Sequence, residues 1–252
     1  MFLHDALARS LVRYLTAERP ATQRRVPNDP DRLLTRLRPG DVVLVEGKTR
    51  ISRVIQVLTQ SSWSHAAMYL GDALLRWGGP QADSALDRFG PEAGRLLIES
   101  DMREGVRVVP LSAYLAHNLR VCRPQGLGSG ELDRVLEEML RHLGLRYDRQ
   151  NVFDLGRYLT PFHLLPARLR RRPLYLGSSS SREIICSALI AKAFYKVGYA
   201  VQPEMRGGNL GKGLLARHPS YIMPRDFDLS PNFEVLKFHL PAGQRLPAAG
   251  LP

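Results

Sequence analysis

Ser64-His65-Ala66-Ala67-Met68-Tyr69-Leu70-Gly71-Asp72 is an alternating run that closes on a Gly-Asp turn. Its period of two predicts a β-strand with two unlike faces, Ala66, Met68 and Leu70 on one and His65, Ala67 and Tyr69 on the other. Further short runs flank it: Val42-Val43-Leu44-Val45 before, then Leu96-Leu97-Ile98-Glu99, Val106-Arg107-Val108-Val109 and Leu119-Arg120-Val121-Cys122 after. Gly, Asp and Pro punctuate them, as between the strands of a small antiparallel sheet or barrel. Residues 233 to 238 alternate like one more strand.

Helical spacing appears between these runs. Ile51, Val54, Ile55 and Leu58 predict a short helix, and Leu132, Val135, Leu136, Met139, Leu140 and Leu143 predict a longer one over 131–142, stopped at Gly144. A third runs from Cys186 to a stop at Gly198, with Cys186, Ile190, Ala193, Phe194 and Val197 as its apolar stripe. Leu3, Leu7, Leu11, Tyr14 and Leu15 suggest an amphipathic N-terminal helix, followed by a polar linker over 19–31. The stretch 75–94 reads as an insertion between strands, and 155–182 as an aromatic, proline- and arginine-rich excursion. The expected fold class is α+β, with residues 1–36 as helix and linker, 37–240 as the domain and 241–252 as a flexible tail.

The chain has 252 residues, of which 44% are hydrophobic, enough for a core. Without an apolar run of membrane-spanning length or a signal-peptide pattern at Met1-Phe2-Leu3-His4-Asp5, it is expected in the cytoplasm. Its formal charge of +12 suits anionic partners, such as a membrane surface to which it would be peripheral. Arginines cluster at Arg168, Arg170, Arg171 and Arg172, but no nucleic-acid-binding motif accompanies them, so a nucleic-acid partner is not expected. The sequence is silent on oligomeric state.

Two cysteines, Cys122 and Cys186, make no disulfide framework, and no closely spaced Cys/His set suggests a metal or other cofactor. Cys186 stands near a helix start, where free amides and the helix dipole favour a thiolate. The same position belongs to a core-facing stripe, so a small buried hydrophobe is the competing reading. His65 begins the alternating strand beside the small Ala67. Glu99 ends an apolar strand, where a buried acid needs a partner. A thiol, an imidazole to take its proton and an acid to orient that imidazole are the groups cysteine acyl transfer requires.

In order, Leu37-Arg38-Pro39-Gly40-Asp41, Ser64 to Asp72, Leu97-Ile98-Glu99-Ser100, the Val-rich strand with Pro110-Leu111, Tyr147-Asp148 and Ile184-Ile185-Cys186-Ser187-Ala188-Leu189-Ile190 resemble circularly permuted papain-like amidases. The likeness is to the YiiX/YebB-like group of the NlpC-type cysteine hydrolase superfamily, and extends to Met223-Pro224-Arg225-Asp226. It implies a permuted papain-like fold in which a small sheet or barrel packs on the cysteine helix. It further implies Cys186 as nucleophile, His65 as general base and Glu99 as orienting acid, with Asp101 and Asp72 as the other acids to test. Tyr147 and Tyr69 are the candidate substrate-binding residues, although Tyr147 would serve equally in packing. The backbone N–H of Cys186 is a candidate oxyanion donor.

The implied activity is a cysteine hydrolase or acyltransferase acting on an amide, ester or thioester of a peptide-like or acyl-lipid substrate. The alternative is a basic binding module without catalysis, holding an anionic lipid or polymer on the same fold.

Overall fold

In the computed structural model, the described residues are 28–102, 104–145, 186–202 and 222–236, together with Tyr14, 16–18 and Pro219. Six strands form one antiparallel sheet: β1 (Val42–Val45), β2 (His65–Gly71), β3 (Leu96–Asp101), β4 (Gly105–Pro110), β5 (Leu119–Pro124) and β6 (Phe233–Leu236). Their spatial order is β4-β3-β2-β1-β5-β6. Antiparallel pairing joins every neighbouring pair of strands, and β2 lies inside the sheet, between β1 and β3.

Helices α1 (Pro30–Arg36), α2 (Arg50–Thr59), α3 (Ala73–Trp77), α4 (Pro80–Phe89), α5 (Ser129–Arg141), α6 (Cys186–Lys196) and α7 (Pro224–Asp228) surround the sheet. Strand alternation sorts side chains into two apolar clusters. On one face Leu44, Ala66, Met68 and Ile98 pack with Val135, Leu136 and Met139 of α5 and Leu189, Ile190 and Phe194 of α6. On the other, Val43, Ala67, Tyr69 and Leu97 pack with Leu33 of α1, Leu37 and Leu111. Both faces being covered explains why the sheet's strands are almost wholly buried.

The cysteine helix is therefore one of two helices laid on a single face of the sheet. Phe194 is its deepest anchor, fully buried with its ring edge-on to Phe233 of β6. The helix ends at Gly198, whose φ of 78° is the left-handed value that glycine adopts without strain.

Two regions differ from the sequence reading. The stretch called linker contains α1 from Pro30 on, started by the Asp29 side chain accepting from Arg32 N–H, with proline in the first turn. The expected insertion over 75–94 is itself structured, with α3 and α4 broken at Gly78-Gly79 and a 3-10 turn over Gly90–Gly94. The proposed N-terminal helix, Tyr147, the arginine cluster and the tail fall outside the described residues, apart from Tyr14 and Thr16 of that helix. No described helix is long and apolar enough to cross a membrane.

Candidate active site

His65 is held at the mouth of β2 by the residues before it. Ser64 N–H donates to Val45 carbonyl, and Ser64 Oγ accepts from Gly47 N–H at 3.0 Å. The Trp63 indole donates to Asp228 of α7 at 3.0 Å, and Arg120, bonded to the same carboxylate, lies over the Trp63 ring. Two adjoining segments thus fix where the strand begins, and with it the imidazole.

Glu99 comes to His65 through sheet register. Val43, Ala67, Glu99 and Arg107 form one cross-strand row over four strands, and His65 lies two residues before Ala67. Diagonal neighbours on one face are within reach of long side chains. Ala67 presents only a methyl group between them, so the imidazole reaches across it, and His65 Nε2 meets Glu99 Oε2 at 2.8 Å.

The Glu99 side chain is fully buried, yet its oxygens have four donor contacts. Oε2 accepts from His65 and from the Tyr114 hydroxyl at 2.5 Å. Oε1 accepts from Arg107 through Nε at 3.0 Å and a terminal nitrogen at 2.9 Å. Burial alone would raise the pKa of this carboxyl. The hydrogen bond and charge of His65, the Tyr114 hydroxyl and Arg107 outweigh it and bring the value down to about 2. Burial in turn raises the Tyr114 phenol above its ordinary range, and the neighbouring carboxylate adds to it.

Cys186 opens α6 on the opposite side of the imidazole. With Nε2 committed to Glu99, Nδ1 is the nitrogen left for the thiol, with which His65 is hydrogen-bonded. The sulfur also accepts backbone N–H groups of Ala66 and Ser187. Ala66 is available because the β2–β3 pairing ends at Ala67 and Glu99, one residue short of it. Ser187 is fastened by its own hydroxyl, which donates to Ile222 carbonyl at 2.6 Å.

Electrostatics follow from this geometry. Burial raises a thiol's pKa, but the charge and hydrogen bond of His65 and the two backbone donors overcome it and hold Cys186 below its ordinary value. Burial likewise lowers an imidazole, but Cys186 on one side and Glu99 on the other hold His65 well above its ordinary value. Both directions favour a thiolate facing an imidazolium. The other cysteine is opposite in character: Cys122 is fully buried in β5, and burial followed by the charge of Asp228 keeps its thiol protonated.

Thus three of the candidate residues, Cys186, His65 and Glu99, are brought together. Tyr69 is not. It shares a strand face with His65, but its side chain packs in the apolar cluster around Leu33 and Leu97. Asp72 begins α3 and is bonded to Arg76, while Asp101 lies beside Arg107. Tyr147 lies outside the described residues. Among those residues no group of three or more His, Cys, Asp or Glu is placed to hold a metal ion. Arg107 and Tyr114 escaped the sequence reading. The Asp101 to Gly105 turn signal could have set the register of Glu99 against Arg107, whereas nothing in the pattern points to Tyr114.

Residues 36–158 match the family model of permuted papain-like amidase enzymes, YaeF/YiiX, the C92 family. Over this stretch the chain is similar to the permuted papain-like YiiX family. The matched residues hold His65, Glu99, Arg107 and Tyr114, and Cys186 follows beyond them. Among solved structures, it is similar to the crystal structure of the metalloprotein YiiX from Escherichia coli O157:H7. Identity is 17%, the match covers 81% of this chain and 98% of that one, and the TM-score is 0.49. No curated protein matches it.

Proposed function

We propose that this chain is a cysteine-dependent amidase in which Cys186, His65 and Glu99 act as nucleophile, general base and orienting acid. The observation that carries this reading is the continuous run of contacts from buried carboxylate to imidazole to thiol, with the Glu99 to His65 link at 2.8 Å. The Cys186 thiolate adds to a substrate carbonyl, forming a C–S bond as the C=O π pair moves to oxygen. When the tetrahedral intermediate collapses, the bond to nitrogen breaks and the leaving amine takes the proton held on His65. Water, deprotonated by the same imidazole, then cleaves the thioacyl group and restores the thiol. An acceptor other than water would make the same machinery an acyltransferase, and esters or thioesters enter it equally.

The charge of +12 favours a substrate at an anionic surface, so the candidate classes are acyl lipids as well as peptide-like amides. Alkylation separates the catalytic reading from a basic binding module. Substoichiometric iodoacetamide near pH 6 should modify Cys186 and spare Cys122, as read by peptide mass spectrometry, and His65→Ala should abolish the selectivity. Equal, slow modification of the two thiols in the wild-type chain would overturn the proposal.

A further inference from the structure

An orienting acid is useful only if it is itself oriented. Glu99 has no exposed side-chain surface, so water does not hold its carboxylate in place. Two protein groups do so from opposite ends: Arg107 grips Oε1 through two nitrogens, and Tyr114 donates to Oε2 beside His65. Oε2 is thereby the oxygen turned to Nε2, and Nε2 is the nitrogen turned from the thiol. Tyr114 also lies alongside the imidazole, with ring centroids 6.0 Å apart.

Resting on the Cys186–His65–Glu99 reading above, we propose that Arg107 and Tyr114 are positioning residues, which lock the Glu99 carboxylate so that His65 presents Nδ1 to Cys186. Neither need touch the substrate. Arg107 is anchored in turn by Glu104 at 2.5 Å and lies 3.8 Å from Asp101, so its guanidinium is held on the carboxylate by the β3–β4 turn. Tyr114 is backed by His117, edge-on at 5.5 Å.

The arrangement has a consequence for pH. The described titratable and charged groups facing His65 and Glu99 are Cys186 from α6, Arg107 from β4, and Tyr114 and His117 around the 3-10 turn before β5. Asp101 and Glu104 act on them through Arg107 and Tyr114, and Lys48 and Glu18, with opposite signs, through His117. Losing Arg107 or the Tyr114 hydroxyl leaves burial less opposed, so Glu99 protonates at higher pH. A protonated Glu99 no longer accepts from an imidazolium, and the thiolate loses its counter-ion.

The test is the pH dependence of the rate at which iodoacetamide alkylates Cys186, followed from pH 3 to 8 in wild type, Tyr114→Phe, Arg107→Met and Arg107→Lys. Tyr114→Phe keeps the ring and its packing, so it remains informative if Arg107→Met fails to fold. The acid limb should move to higher pH by about half a unit or more in Tyr114→Phe and Arg107→Met, and return part of the way in Arg107→Lys. A folded Tyr114→Phe chain whose acid limb coincides with that of wild type would overturn the positioning role while leaving the nucleophile intact. A wild-type chain with no reactive thiolate at low pH would instead remove the catalytic reading on which the role rests.

Discussion

Replacing Glu99 with Gln should change how stability depends on acidity. The carboxyl's pKa is about 2 in the folded chain against an ordinary 4.5. Because the folded value is the lower one, the contribution is complete above pH 4.5 and is lost as pH falls towards 2. A gap of about 2.5 units, at roughly 1.4 kcal/mol per unit, is worth about 3.5 kcal/mol. The side chain is fully buried, so solvent screening takes little from it. Against burial, the raised pKa of His65 owes more to Cys186 than to Glu99, whose share records the same contact from its other end and is not added. Urea unfolding of wild type and Glu99→Gln at pH 7 and pH 3 measures the effect. The amide variant should be the weaker at pH 7, and by pH 3 the difference should shrink by about 2 kcal/mol. A difference unchanged between the two pH values would refute the assignment of Glu99 as an ionised, buried partner of His65 and Arg107.

Ala67→Leu should place a branched side chain where the imidazole crosses to Glu99, costing about 1–3 kcal/mol by urea unfolding and ending selective alkylation of Cys186 near pH 6. Gly40 has φ of 89°, and a Cβ there would approach Leu132 Cδ1 to 2.2 Å, so Gly40→Ala should lower thermal stability by about 1–3 kcal/mol without altering that alkylation. Asp41 is buried and held by Arg123 at 2.7 and 2.8 Å as well as by Arg38 N–H at 2.8 Å, so Arg123→Met should cost about 1.5–3 kcal/mol in urea unfolding by leaving the carboxylate with the backbone donor alone.

The sheet was legible because its strands carry strong local signals: β-branched runs ended by Gly, Asp or Pro, and in β2 an alternation that separates Ala66, Met68 and Leu70 from His65, Ala67 and Tyr69. The long helices were legible for the same reason. Helix α1 was missed although Asp29-Pro30 is a start signal, because proline and polar residues just upstream suggested a linker. At the site, residue type and chain order pointed to Cys186, His65 and Glu99. Tyr69 shows what alternation leaves open: a strand face carries both core and site residues, and the pattern cannot say where along it one gives way to the other. Arg107 and Tyr114 required knowledge of pairing between strands and of a turn's direction, which no single segment encodes.

His65 and Glu99 are carried by β2 and β3, while Cys186 arrives on a helix that follows both in the chain and docks against the sheet face opposite theirs. During synthesis β1 to β5 precede the sulfur, whereas Asp228, which holds Trp63, and Phe233, which meets Phe194, follow it. The lowered thiol pKa of Cys186 therefore depends on α6 being seated against the sheet, and thiolate reactivity becomes a reporter of that docking. A chain halted short of it, or one whose helix has come away from the sheet, would hold an ordinary cysteine and be chemically quiet.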